Sequence, residues 1–334
     1  MLIVTRTPLR TSFVGGGTDL PSFYREHGGE VISTAIGLHI DVMLRQRPEG
    51  SGPRFRIACG MYEEAEHIDA IEHPIVREAL RATGQTGPLD ISSSSDVPGG
   101  TGLGSSSSFC VGLLHGLARL RGEPTDWRTL AERAFRLETD RLGQPIGRQD
   151  QTIAAVGGCQ NLHFLPDEQV HARPMELPVA YRDELEASLM LFYLGGQRRA
   201  GDLLKPLAKP SADQTERLRT IRGQCEAFGA ALRRRAPVAE LGALLDETWQ
   251  VKRRLTAGIS PAHVDEAYDR ARARGAFGGK LLGAGGTGCL LLVASPEHQS
   301  AIRRDLAAYT EFPFVFDDAG SRVLLAEPAT TRTR

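Results

Sequence analysis

The stretch of this chain best suited to chemistry is a glycine-rich loop that leads directly into a helical pattern. Apolar residues at helical spacing follow it, from Phe109 to Leu117. Glycines let a backbone approach a polyanion closely, and a helix start offers free N–H groups and the positive end of its dipole. The pattern therefore predicts a cradle for phosphate groups. The residues expected to form it are Pro98, Gly99, Gly100, Thr101, Gly102, Leu103, Gly104, Ser105, Ser106 and Ser107.

Two other phosphate-binding patterns do not fit. A Walker A loop ends in Gly-Lys-Ser/Thr, and this loop contains no lysine. A GxGxxG pattern occurs at 283–288, but the apolar run after it, 289–294, is typical of a buried strand, whereas the dinucleotide motif opens a helix. The sequence therefore argues against a dinucleotide-dependent oxidoreductase.

Two carboxylates further along the chain are candidates for catalysis or metal binding. Glu138 falls inside the apolar stripe of a helix predicted over 126–142, where a carboxylate is costly unless a cation or hydrogen-bond donors meet it. Asp150 opens a short helix with Ile153 one turn on. Each has a structural alternative, because Glu138 could pair with Arg141 and Asp150 could cap its helix.

A third glycine-rich segment lies near the N-terminus, at 14–21. Together, the segments at 8–21, 98–108 and 279–288 resemble in order and spacing the three signature segments of the GHMP small-molecule kinases, the family of galactokinase, homoserine kinase and mevalonate kinase. The resemblance covers nearly the whole chain. Within the family, the sequence is most similar to the D-glycero-D-manno-heptose 7-phosphate kinases. The shared motifs are Pro-Leu-Arg at 8–10, Gly-Gly-Gly-Thr-Asp at 15–19, Gln-Asp-Gln at 149–151 and Gly-Lys-Leu-Leu-Gly-Ala-Gly-Gly at 279–286.

The resemblance implies an α+β, two-lobed GHMP kinase fold with the active site in the cleft between the lobes. A ribosomal-protein-S5-like lobe over 1–178 would carry the phosphate loop and the catalytic aspartate. A ferredoxin-like α/β lobe over 179–334 would carry the third glycine-rich loop. The length agrees, because 334 residues exceed the size at which one hydrophobic core stops growing.

The resemblance also implies roles for single residues. Asp150 would accept the proton of the attacking sugar hydroxyl, and Arg10 beside it would keep it ionised. Ser106 and Glu138 would hold Mg2+ against the phosphates of ATP. A cation would hold the substrate's phosphate, and the first and third loops would line the substrate. The expected substrate-binding residues are Gly16, Gly17, Thr18, Asp19, Arg148, Arg198, Lys280, Gly283, Ala284, Gly285 and Gly286.

The chain departs from the family pattern at three places. Galactokinases carry Glu-His-Thr-Asp where this chain has Gly-Gly-Thr-Asp at 16–19, and the smaller lining suits a bulkier seven-carbon substrate. Thr287 stands where heptose-type sequences often have glycine, so a Cβ enters a tight loop and leaves that loop's geometry an open question. Ser107 replaces the alanine that often follows the magnesium serine, a change expected to be mild.

The function that the resemblance implies is ATP-dependent phosphorylation of the anomeric C1 hydroxyl of D-glycero-D-manno-heptose 7-phosphate to the α-1,7-bisphosphate. Such a product would feed GDP-heptose and surface polysaccharide synthesis. One alternative is an anomeric kinase for an unphosphorylated sugar such as L-fucose. Another is a non-catalytic sugar or nucleotide sensor on the same fold, which the presence of Asp150, Glu138 and Ser106 disfavours.

Composition agrees with small-molecule partners, namely ATP and a sugar phosphate. Forty basic and 41 acidic residues give a formal charge of −1, so no global field would gather nucleic acid or an anionic membrane. We find no pattern of a signal peptide and no apolar run of the roughly 20 residues that span a membrane, which predicts a cytoplasmic protein. The sequence is compatible with either a monomer or a homodimer. The five cysteines are dispersed, which predicts neither a disulfide framework nor a zinc site.

Hydrophobic periodicity also predicts the elements that position these residues. We expect an amphipathic helix through Leu218 and Leu232 and another through Leu241 and Leu255, broken at Pro237. A further helix is predicted over 264–274, before the third loop. Strands are predicted at 2–6, 10–13, 31–45, 89–94, 189–194, 312–316 and 322–325.

Overall fold

Two β-sheets organise the fold, and helices cover them. A computed structural model describes residues 1–196 and 203–327. The strands are β1 (Leu2–Val14), β2 (Gly29–Gln46), β3 (Phe55–Ala58), β4 (Tyr62–Ala65), β5 (Leu89–Ser95), β6 (Cys159–Phe164), β7 (Val170–Pro174), β8 (Leu189–Tyr193), β9 (Gly278–Leu281), β10 (Cys289–Val293), β11 (Thr310–Glu311) and β12 (Arg322–Glu327). The helices are α1 (Pro21–His27), α2 (Pro74–Thr83), α3 (Ser105–Leu120), α4 (Trp127–Arg136), α5 (Gln149–Val156), α6 (Val179–Ser188), α7 (Ala212–Arg233), α8 (Val238–Lys252), α9 (Ala262–Ala273) and α10 (Pro296–Asp305).

The first sheet has eight strands and the second has four. In the first, the order is β12-β1-β2-β5-β3-β4, and β6 pairs with both β2 and β7. In the second, the order is β11-β8-β10-β9. The α+β expectation is confirmed, since a mixed sheet, an antiparallel sheet and helices build the two halves. Within the described residues, no helix is long and apolar enough to cross a membrane. All five cysteines are buried and free.

The first strand is continuous, whereas the sequence pattern predicted two short strands on either side of Pro8. Proline has no N–H to donate, and the pairing of β1 with β2 shifts register between Pro8 and Leu9. The shift lets one long strand tolerate the missing donor. β1 therefore carries Arg10 and leads directly into the first glycine-rich loop.

Helix α3 begins at Ser105, four residues before the apolar pattern that starts at Phe109. The pattern did not reveal this first turn because it consists of four serines. Gly104 precedes it with φ of 79°, in the left-handed region that glycine tolerates. The helix packs closely on the first sheet through Gly112, where an added Cβ would lie 2.7 Å from the Thr7 hydroxyl oxygen. The close approach holds the phosphate loop against β1.

The helix predicted over 126–142 ends earlier. Asp126 caps α4 by accepting a hydrogen bond of 2.8 Å from the Thr129 N–H, and the regular helix stops at Arg136. A π-helical turn follows at Leu137–Arg141. Such turns often mark functional sites, and this one carries Glu138.

The second half confirms the break at Pro237 between α7 and α8. The strand predicted at 312–316 is wrong, because this segment crosses from one sheet to the other. The Phe312 N–H donates to the Leu191 carbonyl of the second sheet, Pro313 has no N–H, and Phe316 bridges Ile36 of the first sheet.

The final strand corrects the predicted extent of the second lobe. β12 pairs antiparallel with β1, with Leu2 opposite Glu327. Residues 322–327 therefore belong to the first sheet, although the prediction assigned everything from 179 to 334 to the second lobe. Aromatic stacking also joins the halves, since the ring centroids of Phe13 on β1 and Phe228 on α7 lie 5.4 Å apart.

Candidate active site

The three glycine-rich segments meet around one cleft with a volume of about 800 Å3. The first loop contributes Gly16 and Asp19, and the third contributes Gly283 and its neighbours. The second lines the cleft with Gly100, Gly102, Gly104, Ser105, Ser106 and Ser107. A cleft with glycines on three sides leaves room for a polyanion and a second ligand beside it.

The phosphate loop presents its backbone to the cleft and its apolar side chain to the core. Gly100, Gly102 and Gly104 all have φ between 77° and 79°, and no side chain caps the helix that follows. Leu103 and Thr101 are fully buried, while Pro98 and Gly99 are exposed and lie outside the cleft lining. Backbone groups and serines, rather than every residue of the predicted set, therefore form the cradle.

The phosphate loop also packs directly on the third loop. A Cβ on Gly102 would lie 2.8 Å from the Leu282 carbonyl oxygen, and one on Gly283 would lie 2.8 Å from the Gly102 Cα. Neither position has room for a side chain, and both have φ in the left-handed region. The two loops form a single wall of the cleft.

Arg10 and Asp150 form a bidentate pair at the end of the phosphate loop. Arg10 Nε donates to Asp150 Oδ1 at 2.7 Å and its Nη2 donates to Oδ2 at 2.8 Å. The arginine side chain is only 3% exposed, whereas that of Asp150 is 25% exposed and lines the cleft. A bidentate guanidinium partner stabilises the ionised carboxylate. The predicted juxtaposition of these two residues is present.

Asp19 lies beside this pair and is held by backbone donors. Its Oδ1 accepts from the Gly17 N–H at 2.9 Å, and its Oδ2 accepts from the Gln149 N–H at 3.2 Å, at the start of α5. Burial and, to a lesser extent, the negative charge of Asp150 raise the pKa of the Asp19 carboxyl. A carboxylate oriented in this way is a suitable acceptor for hydroxyl groups of a ligand.

Glu138 is fully buried at the other end of the cleft wall. It accepts hydrogen bonds from the Ser106 hydroxyl at 3.0 Å, the Ser107 hydroxyl at 2.8 Å and Gln151 Nε2 at 2.7 Å. Burial raises the pKa of this carboxyl. The structural alternative for Glu138, a pair with Arg141, does not form, since Arg141 bonds Glu78 instead.

The donor set around Glu138 suits Mg2+. Within residues 1–196 and 203–327, no group of three or more His, Cys, Asp or Glu side chains could hold a metal ion. Mg2+ does not need one, because it usually binds one or two carboxylates and completes its shell with phosphate oxygens and water. The Glu138 carboxylate and the Ser106 hydroxyl, 3.0 Å apart at the phosphate loop, fit that pattern.

Two of the cations predicted to hold the substrate's phosphate are committed elsewhere. Lys280 is fully buried and donates to the carbonyls of Ser12 and Phe13 at 2.8 and 3.0 Å. Arg148 is buried outside the cleft, where its guanidinium pairs with Glu132 and Glu168, each at 2.6 Å. Neither the Lys280 ammonium nor the Arg148 guanidinium lines the cleft. The prediction that these two residues bind the substrate's phosphate is therefore corrected.

Thr18 has a structural role in the first loop. The Thr18 hydroxyl is buried and donates to the Gly15 and Glu30 carbonyls, so it holds the first loop's turn and is not available to a ligand. Arg198 lies outside the described residues and stays a prediction.

The third loop accommodates Thr287 without backbone strain. Its glycines Gly283, Gly285, Gly286 and Gly288 have positive φ, whereas Glu168 and Arg235 are the non-glycine residues with positive φ among those described. Thr287 thus occupies a position in the loop where a Cβ is tolerated. Ala284 and Gly285 line the cleft, and the Gly286 N–H anchors the loop to the Ile259 carbonyl.

Sequence reasoning missed Lys252, which lines the cleft at the end of α8. It also missed Gln151, which supports Glu138, and Gly147, which lies against Asp19. A lysine at the C-terminal end of an amphipathic helix is ordinary, because it interacts favourably with the helix dipole. No local pattern therefore singled it out.

Comparisons with known proteins show what this chain is similar to. Family models for the GHMP kinases N terminal domain and the GHMP kinases C terminal domain match residues 70–158 and 230–311, respectively. D-glycero-alpha-D-manno-heptose 7-phosphate kinase of Campylobacter jejuni is 28% identical over 333 residues, covering 93% of this chain and 96% of that protein. The bifunctional fucokinase/GDP-fucose pyrophosphorylase of Arabidopsis thaliana is 26% identical over 91% of this chain, which spans 31% of that longer protein.

Solved structures show the same fold. A D-glycero-D-manno-heptose 1-phosphate kinase from Bacteroides thetaiotaomicron superposes with a TM-score of 0.80 at 23% identity, covering 98% of this chain and 100% of that one. Lactococcus lactis galactokinase in complex with galactose superposes with a TM-score of 0.74 at 15% identity, covering 96% and 95%.

Proposed function

The chain belongs to the GHMP kinases and is thus a phosphotransferase, and on this premise we propose that it phosphorylates a sugar phosphate. The proposed donor is ATP, and the proposed acceptor is the anomeric C1 hydroxyl of D-glycero-D-manno-heptose 7-phosphate. The product would be the α-1,7-bisphosphate, a precursor for GDP-heptose and for surface polysaccharide such as capsule, lipopolysaccharide or S-layer glycan. The similarity to a heptose 7-phosphate kinase over 96% of that protein's length supports this acceptor.

The observation that carries the proposal is the Arg10–Asp150 pair between the phosphate loop and Asp19. A Cβ on Gly104, the last glycine of that loop, would lie 3.3 Å from both Arg10 Cγ and Asp150 Oδ2. A base at the meeting point of a phosphate cradle and a hydroxyl-binding carboxylate suits transfer between two ligands bound side by side.

The reaction can be derived from these residues. Asp19 would orient the sugar, and Asp150 would accept the proton of the C1 hydroxyl as its oxygen bonds to the γ-phosphorus of ATP. The bond between that phosphorus and the β–γ bridging oxygen breaks, and ADP leaves. Phosphoryl transfer depends mainly on positioning and charge neutralisation, so the base would contribute about 10²–10⁴ in rate.

Arg10 and Glu138 would set the charges for this step. Arg10 orients Asp150 through two hydrogen bonds. Ser106 and Glu138 would hold Mg2+, which would neutralise the phosphates of the donor. Arg198 is the remaining predicted candidate for binding the substrate's own phosphate.

The experiment that tests the proposal is a substrate panel. Purified protein would be incubated with ATP, Mg2+ and heptose 7-phosphate, mannose 6-phosphate, L-fucose or galactose, with ADP release and the phosphorus NMR spectrum of the product as readouts. We expect an anomeric phosphate on heptose 7-phosphate alone, and a kcat lower by about 10²–10⁴ in Asp150→Asn with ATP affinity retained.

The two alternatives give different results in the same experiment. Turnover of L-fucose alone would favour the fucokinase function, which similarity to proteins named as fucokinases supports. Saturable nucleotide binding without turnover of any sugar would favour a sensor.

A further inference from the structure

Lys252 connects the first and third glycine-rich loops from within the cleft. Its side chain comes from the last residue of α8, is 6% exposed and lines the cleft wall. Its Nζ donates to the Gly283 carbonyl at 2.8 Å and lies 3.9 Å from the position that a Cβ would take on Gly16. The ammonium therefore lies in the cleft lining, between the first and third loops.

The charges that face Lys252 do not pair with it directly. Among the described contacts its hydrogen bond is to a carbonyl, so two of the three ammonium donors are available to a ligand. Asp19 and Asp150 attract its charge from the first half of the chain, while Arg10 and Lys280 repel it. Burial, and then the positive charge of Arg10, lower the pKa of Lys252 to about 8.

A buried cation without a carboxylate partner is costly in the empty site. The cost becomes an advantage when an anion enters, because a desolvated charge that is already oriented interacts strongly and needs no reorganisation. The position of Nζ indicates which part of a bound ligand the ammonium would contact. Gly283 packs on Gly102 of the phosphate loop, and Gly16 belongs to the loop that contains Asp19. Lys252 therefore lies where the donor and the acceptor must meet.

We propose that Lys252 is a further catalytic residue, whose ammonium contacts the oxygens of the transferring phosphoryl group. It stabilises the charge on those oxygens in the transition state, as cations do in other phosphoryl transferases. This inference rests on the proposed phosphoryl transfer, but not on the identity of the sugar. A purely structural lysine, which only ties α8 to the third loop through Gly283, is the alternative.

The test compares Lys252→Met with Lys252→Arg and with Lys209→Met, an exposed lysine outside the cleft. With ATP, Mg2+ and the sugar that the wild type accepts, we expect Lys252→Met to lower kcat by about 10²–10³ while both KM values change less than about threefold. Lys209→Met should keep the wild-type kcat, and thermal melting confirms that each variant is folded.

The pH profile of kcat/KM separates the catalytic role from the structural one, because it reports the free enzyme. The protonated lysine is the active form, so wild-type kcat/KM should fall as pH rises through about 8. Lys252→Arg should move this fall to higher pH, since a guanidinium stays charged. Lys252→Ala, if poorly active, should regain kcat when ethylammonium is added.

Two results would overturn the inference about Lys252, and a third would overturn the proposed function as well. A wild-type kcat in folded Lys252→Met would overturn the inference alone. An unchanged alkaline limb in Lys252→Arg, together with no rescue by ethylammonium, would assign the residue the structural role and also overturn it. No turnover of any sugar by the wild type would overturn the proposed function, and this inference with it.

Discussion

Adding one methyl group at Gly147 should displace Asp19 and thereby test whether that carboxylate holds the sugar. The Cβ of Gly147→Ala would lie 1.9 Å from Asp19 Oδ2 and 3.0 Å from the Asp19 carbonyl oxygen. The backbone of Gly147 is not in the left-handed region, so the effect is steric. A carbon–oxygen contact needs more than 3 Å, so the carboxylate must move by about 1 Å. A misplacement of that size costs about 10²-fold in rate.

We therefore expect kcat/KM for the sugar to fall about 100-fold in Gly147→Ala, with the Kd of ATP within about twofold of the wild type. Overpacking should also lower the free energy of unfolding by about 1–3 kcal/mol, measured in urea. Steady-state kinetics and calorimetric titration with ATP are the assays. Gly223→Ala is the matched control, because nothing lies within 4 Å of the added Cβ on helix α7.

Two results would refute the reasoning. A wild-type kcat/KM in folded Gly147→Ala would mean that the observed position of the Asp19 carboxylate does not determine how the sugar is held. An equal loss of ATP binding would contradict the expectation that displacement of Asp19 affects the sugar side alone.

Two further changes probe the metal site and the contact between the halves. Glu138→Gln should raise the Mg2+ concentration for half-maximal activity about 10–100-fold, because the amide keeps the shape but loses the charge; an unchanged Mg2+ requirement would contradict the assignment. Phe228→Ala should lower the free energy of unfolding in urea by about 3–5 kcal/mol, because Phe228 is 1% exposed and stacks on Phe13. Met61→Ala, at a position 60% exposed, should change it by less than about 0.5 kcal/mol.

The sequence alone was sufficient to identify the segments that build the cleft. The glycine clusters and Glu138 carry a local signal, since a glycine-rich loop before a helix suits phosphate and a carboxylate in an apolar stripe is costly without a partner. Arg10, Asp19 and the role of Asp150 were predicted through the resemblance to the GHMP kinases. The fold class followed from the resemblance and is confirmed. The roles of these residues stay predictions until the variants are measured.

The identity of the cleft lysine could not be predicted from the sequence. Lys280 lies beside a glycine-rich motif and Lys252 lies in an ordinary helix, so local context favours the wrong one. The deciding facts are three-dimensional: Lys280 reaches across to carbonyls at the end of β1, while Lys252 ends against the third loop. Which lysine reaches the cleft depends on how the second half packs on the first.

The π-helical turn and the pairing of β12 were also beyond local analysis. Apolar spacing predicts a helix through 142, but it does not report the change in backbone hydrogen bonding at Leu137–Arg141 that orients Glu138. The pattern at 322–325 predicted a strand correctly. It contained no information about a partner strand more than 300 residues away.

The pairing of β12 with β1 gives the protein an unusual dependence on the order of its synthesis. β1 is synthesised more than 300 residues before β12, so one of its edges lacks its native partner until residues 322–327 have been made. At ordinary elongation rates that delay lasts roughly 15–60 s. Throughout it, the edge of β1 offers unpaired N–H and C=O groups to any extended segment of the growing chain or of a neighbouring polysome. Correct pairing of β12 therefore depends on this edge staying free of other segments until the last strand has been made.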